Sequence, residues 1–241
     1  MSLFVPRRRP SSERLDDPDL PPDEMRRSLE DLRLVNRRWG GSRALARRLL
    51  ERLDAADGSP EGARRRDRIL IVDVGAGSGD VARRLESSLR EAGRDARVFP
   101  LDLQWRHLAA GRAMARGPVA AAAADAFRLP LATRSVDLAV STLFFHHFSP
   151  QENAGILGEL SRVARRGFAV LDLRRSFVPW AFVAVAGRAV FRARISVEDG
   201  VASVRQAYTP AEAETIARAV APGSAARRVF PFRFLLEGGG A

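Results

Sequence analysis

Three groups of residues in this sequence have types and spacings suited to chemistry. The first is residues 69–80, ILIVDVGAGSGD, where an apolar run surrounds Asp73 and glycines fall at 75, 77 and 79. The second is a set of acids that close apolar stretches, Asp102 after residues 97–101 and Asp125 after the alanine-rich residues 118–124. The third is Phe144-Phe145-His146-His147-Phe148, which holds two of the chain's three histidines. An apolar run that ends in clustered glycines reads as a buried strand turning into a helix. Gly75 and Gly77 allow a tight turn and let a ligand approach the main chain with no Cβ in the way. The helix expected over 79–92 points its N-terminal amides back at that loop, where negative charge is favoured. Asp102 falls one β-α-β unit after Asp73. A carboxylate there has lone pairs for two ribose hydroxyls at once, and it can also cap the next helix, 104–116. Histidine is the side chain that exchanges a proton near neutrality. His146 and His147 lie at the C-terminal end of a strand, where open α/β sheets bind ligands. They can equally pack, or cap the helix after Ser149-Pro150, and the sequence does not choose between them.

The elements that must position these groups alternate. Strands are expected over 69–74, 97–102, 118–124, 136–142 and 167–173, with Asp137 in a structural role at the entry to the fourth. Helices are expected after each, including 153–165 with Ile156, Leu157, Leu160 and Val163 inward. Ahead of the first strand, Pro22 opens a helix to Trp39 with Met25, Leu29, Leu32 and Val35 at helical spacing. Gly40-Gly41 break it, and Ser42 caps a second helix, 43–54, followed by a loop over 57–62. Trp39 beside paired glycines reads as a tight helix–helix turn or a ligand contact. Residues 177–194 are apolar with late Arg188, Arg192 and Arg194. They suit a helix buried in the core, one covering a lipid-like substrate, or one resting on a membrane surface. Thr209-Pro210 opens a last helix to about 220, and two terminal strands, 226–230 and 232–236, flank Pro231. Alternation followed by two late strands gives a doubly wound sheet.

Composition narrows the function classes. The chain has no cysteine, which excludes a disulfide framework and a thiolate metal site. With three histidines a structural zinc site is disfavoured, and no metal is expected. The net charge of +11 invites a nucleic-acid reading, but all 40 basic residues are Arg and they are spread over almost every helix. Solvated helix faces explain that distribution better than a phosphate-binding patch. The first residues carry proline and Arg7 to Arg9 rather than an apolar signal core, and the longest apolar run, within 177–187, is too short to span a bilayer. A cytoplasmic protein is the expectation.

The glycine spacing is G-x-G-x-G with an acid two residues before the first glycine, not the G-x-G-x-x-G of a dinucleotide site. With Asp102, Asp125-Ala126, Leu129-Pro130-Leu131 and Ser135-Val136-Asp137-Leu138 following in order, residues 69–236 resemble the class I S-adenosylmethionine-dependent methyltransferases, closest to the branch acting on small molecules. The resemblance implies a Rossmann-like, doubly wound, seven-stranded α/β sheet with helices on both faces and an N-terminal helical pair. It implies S-adenosylmethionine as cofactor, held by Asp73, Gly75, Ala76, Gly77, Gly79, Asp102, Leu103, Asp125, Ala126 and Ser141. In the family the acid at 125 bonds the adenine amino group. His146 or His147 would serve as general base for an acceptor such as a phenol. The implied organisation is a mobile tail over 1–21, a helical cap over 22–62 and the cofactor-binding domain over 63–241, with an acceptor-side insertion at 177–208. Ser141-Thr142-Leu143-Phe144 stands where enzymes that methylate nucleic-acid amino groups carry Asn-Pro-Pro-Tyr. The expected activity is methyl transfer to oxygen or carbon of a small aromatic or lipid-like acceptor. An RNA or protein methyltransferase and a non-catalytic cofactor-binding protein are the alternatives.

Overall fold

The computed structural model describes residues 5–39, 41–57, 68–115 and 120–240. Seven strands form one sheet: β1 (Ile69–Val74), β2 (Ala96–Asp102), β3 (Ala122–Ala123), β4 (Leu138–Thr142), β5 (Phe168–Leu173), β6 (Ala225–Val229) and β7 (Arg233–Gly238). Their order is β3-β2-β1-β4-β5-β7-β6, parallel except for β7, which runs antiparallel to both β5 and β6. The order reverses between β1 and β4, which places the C-terminal ends of both at the crevice where such sheets bind ligands. Eight α-helices are present among the described residues: α1 (Pro22–Arg38), α2 (Gly41–Asp57), α3 (Asp80–Glu91), α4 (Trp105–Met114), α5 (Pro150–Val163), α6 (Phe177–Val190), α7 (Arg194–Gln206) and α8 (Pro210–Arg218).

Alternation along the strands divides the core. Val72, Val74, Ala139 and Val170 face α5 and α8 through Ile156, Leu157, Leu160 and Ala213. Ile71, Leu138, Val140 and Leu171 face α2 and α3 through Leu45, Leu49, Leu53, Val81, Leu85 and Leu89. A third, smaller cluster joins Leu15, Leu20, Met25 and Leu29 to Ala193 and Ile195, above the strand ends. Turn chemistry agrees with the sequence at two helix starts. Ser149 with Glu152, and Thr209 with Glu212, form reciprocal capping boxes. Asp137 accepts the Leu70 amide at 2.9 Å, the structural role expected of it.

Four expectations are corrected. The stretch read as a mobile tail is packed from residue 5 onward. Arg8 donates to the carbonyls of Gln206 at 2.7 Å and Phe148 at 2.8 Å, and buried Arg175 donates to the Pro6 carbonyl. Asp199 accepts the Arg14 and Leu15 amides. These holds come from residues far away in the chain, so no local periodicity announces them. Second, the two N-terminal helices do not form one cap: α1 does, but the apolar stripe of α2 is part of the sheet's own core. Third, the strand expected over 118–124 is reduced to Ala122–Ala123, paired with Leu101 and Asp102, since alanine buries too little to extend an edge strand. Fourth, the apolar segment 177–194 is broken into α6 and α7, because Asp31 accepts the Arg192 and Ala193 amides and holds the corner. The loop expected over 57–62, the break at Gly40 and residues 118–119 lie wholly or in part outside the described residues. No described helix is long and apolar enough to cross a membrane.

Candidate active site

A cavity of about 520 Å³ opens at the C-terminal ends of β1, β2, β4 and β5. Its floor is the glycine loop. Gly75, Gly77 and Gly79 all have positive φ, 70°, 54° and 64°, which is where an L side chain is strained. At Gly75 a Cβ would also run into the ring of Phe144, whereas at Gly77 the Cβ direction is open space. The loop is braced on β2: the Gly75 and Ala76 amides donate to the Leu101 carbonyl at 2.9 and 3.1 Å. The Gly77 amide donates to Asp102 Oδ2 at 2.6 Å, and the Gln104 amide to Oδ1 at 2.8 Å. Burial raises the Asp102 carboxyl against these two bonds. A close approach that the motif reading missed supports the loop from behind. At Gly111, in α4, a Cβ would collide with the Ser78 carbonyl oxygen, so only glycine lets the helix lie against the loop.

Asp73, at the end of β1, is 1% exposed and neither carboxylate oxygen has a hydrogen-bond partner. Burial first, then the charges of Asp80 and Asp102, hold its carboxyl well above the usual range. An unsatisfied carboxylate in a cavity wall is costly unless a ligand supplies donors or positive charge. This orphaned acid and the open space over Gly77 fit a ligand with a cationic amino-acid end, as S-adenosylmethionine has.

The histidines meet at the opposite wall. A 3-10 turn, Phe145–His147, follows Leu143, whose φ of 54° turns the chain after β4. His146 is 2% exposed. Its Nδ1 lies 2.7 Å from Asp172 Oδ1, on β5, and its Nε2 lies 3.3 Å from Glu13 Oε1. Burial alone would pull its pKa down, but the charges and hydrogen bonds of Asp172 and Glu13 outweigh it and raise the value to about 10. His146 therefore stands as an imidazolium between two carboxylates at neutral pH. Glu13 also accepts from Ser203 Oγ at 2.5 Å and Gln206 Nε2 at 2.8 Å. Its carboxyl is lowered: burial opposes this, and His146 and His147 prevail. His147, a partly exposed neighbour, has Nδ1 3.3 Å from Asp16. Glu13, His146 and His147 offer ligand atoms within 4.8 Å of one another. Both ring nitrogens of His146 are already engaged by carboxylates, so the cluster reads as charge pairing rather than a metal centre.

The roof and far end of the cavity are apolar. Trp39 and Phe182 meet edge to face with centroids 5.8 Å apart, and Phe182 lies 6.2 Å from Phe232. Trp39 is thus both the end of α1 and a wall residue, which joins the two readings of it.

The structure brings Asp73, Gly75, Ala76, Gly77, Asp102, Leu103, His146 and His147 to this cavity. It does not bring the others to the wall. Gly79 caps α3 in the left-handed region. Ser141 donates to the Val74 carbonyl at 2.8 Å and ties β4 to β1. Asp125 is exposed and closes a turn onto the Phe127 amide, while Ala126 is buried in the core. Sequence reasoning missed Glu13, Asp172 and Arg233. Only Asp172 carried a signal, as the acid that ends the fifth apolar strand.

Comparison with known proteins follows this geometry. Residues 71–167 match a family model described as a methyltransferase domain. No curated protein sequence matches the chain. Among solved structures, a chain of the complex between the Haloferax volcanii Trm112 methyltransferase activator and a methyltransferase is 16% identical. That match covers 95% of this chain and 99% of that one, with a TM-score of 0.57. The DszA carbon methyltransferase is 13% identical over 83% of this chain and 53% of its own, with a TM-score of 0.59. A SAM-dependent methyltransferase from Aquifex aeolicus is 20% identical over 70% of this chain and 81% of its own, with a TM-score of 0.50. The chain carries a methyltransferase domain in the class I fold.

Proposed function

We propose that the chain is an S-adenosylmethionine-dependent methyltransferase that methylates an oxygen or carbon atom of a small, largely apolar acceptor. The observation that carries this reading is the single cavity that runs from the glycine loop to the chamber of Trp39, Phe182 and Phe232. Residues 11–16, α1, α6 and α7 cover it, so an acceptor must fit beneath a roof rather than lie along a surface. That favours a small molecule over RNA or a folded protein. The charge distribution agrees. Although the chain is +11 overall, the wall contains Glu13, Asp16, Asp73, Asp80, Asp102 and Asp199, which would repel a phosphate backbone.

In this reading Asp73 receives the amino-acid end of the cofactor and Asp102 the ribose, beyond the bonds it already accepts from the loop. When bound, S-adenosylmethionine supplies an electrophilic methyl group on a sulfonium. The chain's task is to hold the acceptor atom in line with that methyl group, which is where most of the rate comes from. Phe144, packed over Gly75, and the aromatic chamber limit the acceptor's approach. An acceptor hydroxyl can give its proton to the Glu13 carboxylate in the cavity wall, whereas His146, already an imidazolium at neutral pH, has no free lone pair to take one and instead holds Glu13 and Asp172 in place. The 177–194 segment, as α6 and the start of α7, serves as acceptor cover, and a cytoplasmic setting suits such an enzyme.

The test is calorimetric titration with S-adenosylhomocysteine followed by methylation of a panel of phenols, enols and short RNA. Binding of the cofactor product with methylation of phenols or enols alone supports the proposal. Methylation of RNA alone sinks it.

A further inference from the structure

Arg233 is the one guanidinium in the described cavity wall, and the sequence gives no hint of it. It opens β7, opposite Leu173 of β5, and is 2% exposed. Its Nη2 donates to Asn36 Oδ1 at 3.3 Å, while Nη1 has no hydrogen-bond partner. It forms no ion pair among the described residues. Burial drags its pKa down to about 10, against the support of the more distant charges of Asp172 and Asp80. Room for the group is made by Gly41 at the start of α2. A Cβ there would lie against Nη1 and 2.9 Å from Leu171 Cδ2.

A buried cation without a counter-charge is among the most expensive arrangements a core can hold. Mere structural support does not account for it, since Asn36 satisfies one nitrogen through a neutral oxygen and leaves the other idle. The planar fork of a guanidinium is shaped to receive a carboxylate through two parallel bonds. Here the fork stands in a water-poor cavity beside Phe232 and Trp39, where such a bond gains from the low local dielectric.

We propose that Arg233 is a carboxylate-binding residue, taking the carboxylate of a ligand that enters the cavity. Resting on the methyl-transfer reading, two ligands bring one: the amino-acid end of the cofactor and an acidic acceptor. Asp73 and Arg233 are then two buried ionisable groups of the cavity, one acid and one base, each with polar atoms left without a partner.

The experiment compares wild type with Arg233→Met and Arg233→Lys by calorimetry. The probes are S-adenosylhomocysteine, 5′-methylthioadenosine (which lacks the amino-acid end), and 4-hydroxybenzoate against 4-hydroxybenzyl alcohol. Thermal melting checks that each variant folds, and the Lys variant, which keeps the charge without the fork, covers failure of the Met variant. A tenfold or greater loss of S-adenosylhomocysteine affinity with methylthioadenosine unchanged supports the proposal and assigns the cofactor's carboxylate. Unchanged S-adenosylhomocysteine affinity with loss of the wild type's preference for the benzoate over the alcohol supports it and assigns the acceptor's. If folded variants bind all four probes as wild type does, Arg233 is not a carboxylate reader. Failure of wild type to bind S-adenosylhomocysteine would instead count against the methyl-transfer reading, and the benzoate comparison still reads Arg233.

Discussion

The two walls of the cavity are built by different means. The cofactor wall is local and made of backbone: the glycine turn, the Leu101 carbonyl beneath it and Asp102 are supplied by two successive strands. The opposite wall, which the proposed function gives to the acceptor, is assembled from distant side chains. Glu13 meets His146 across 133 residues of chain, and Asn36 meets Arg233 across 197. The first wall is stiff because its glycine conformations and hydrogen bonds are mutually required. The second depends on buried charge pairing, which is strong only while every partner is present. A surface that must accept one invariant cofactor suits the first construction. A surface that sets acceptor choice suits the second, where a single side chain changes the chemistry.

The sharpest way to break this contrast is His146→Ala. It leaves Asp172 and Glu13 buried without their common partner and should destabilise the fold by about 3–5 kcal/mol. Denaturant melts read this, and an effect below about 1 kcal/mol would mean that the carboxylates are solvated after all. Asp102→Ala should cost about 2–4 kcal/mol in S-adenosylhomocysteine affinity, because it removes both a charge-assisted ligand contact and the anchor of the Gly77 amide. Acceptor-side binding should be untouched, and an equal loss on both sides would erase the distinction between the walls. Gly111→Ala should lower stability by about 1–3 kcal/mol, since α4 must back away from Ser78. It should weaken the cofactor wall alone.

Subtler effects come from titration. Glu13→Gln removes one of the charges that raise His146, so the imidazole should titrate below about 10, which an NMR pH titration of its ring reads. An unmoved value would mean that Glu13 does not help to hold the proton on His146. Stability follows a related profile. His146, raised from an ordinary 6.5 to about 10, contributes stability that is complete below pH 6.5 and lost as pH rises through 10. Glu13 and Asp172 are lowered from 4.5 and 3.8, so their contributions are present above those values and lost as pH falls through the lowered ones. Melting temperature should therefore peak between about pH 4.5 and 6.5, and Glu13→Gln should flatten the peak.

What the sequence revealed divides along the same line. The strand order, the glycine loop and the placement of Asp73 and Asp102 follow from apolar runs and glycine spacing within one β-α-β unit. His146 was legible as a group at a strand end, but its protonation was not, because that is set by Asp172 and Glu13 from elsewhere. The covering of the cavity by residues 5–20 was read as a tail, since a segment held by Asp199, Gln206 and Arg175 has no periodicity of its own. Arg233 was one arginine among many until β7 placed it against Gly41. Asp125 and Ser141 went the other way: expected at the cofactor, they use their polar atoms to close a turn and to tie two strands.

The antiparallel insertion of β7 between β5 and β6 has a consequence for how the protein is made. On the ribosome the glycine loop, both histidines and Asp172 emerge before β7, as do Glu13 and the Asn36 that will receive Arg233. The strand that completes the sheet next to β5 emerges after all of them. Until it docks, the edge of β5 is open and the guanidinium is missing from the cavity. The nascent chain can thus assemble its glycine loop early, while the cavity gains its guanidinium only once β7 has followed.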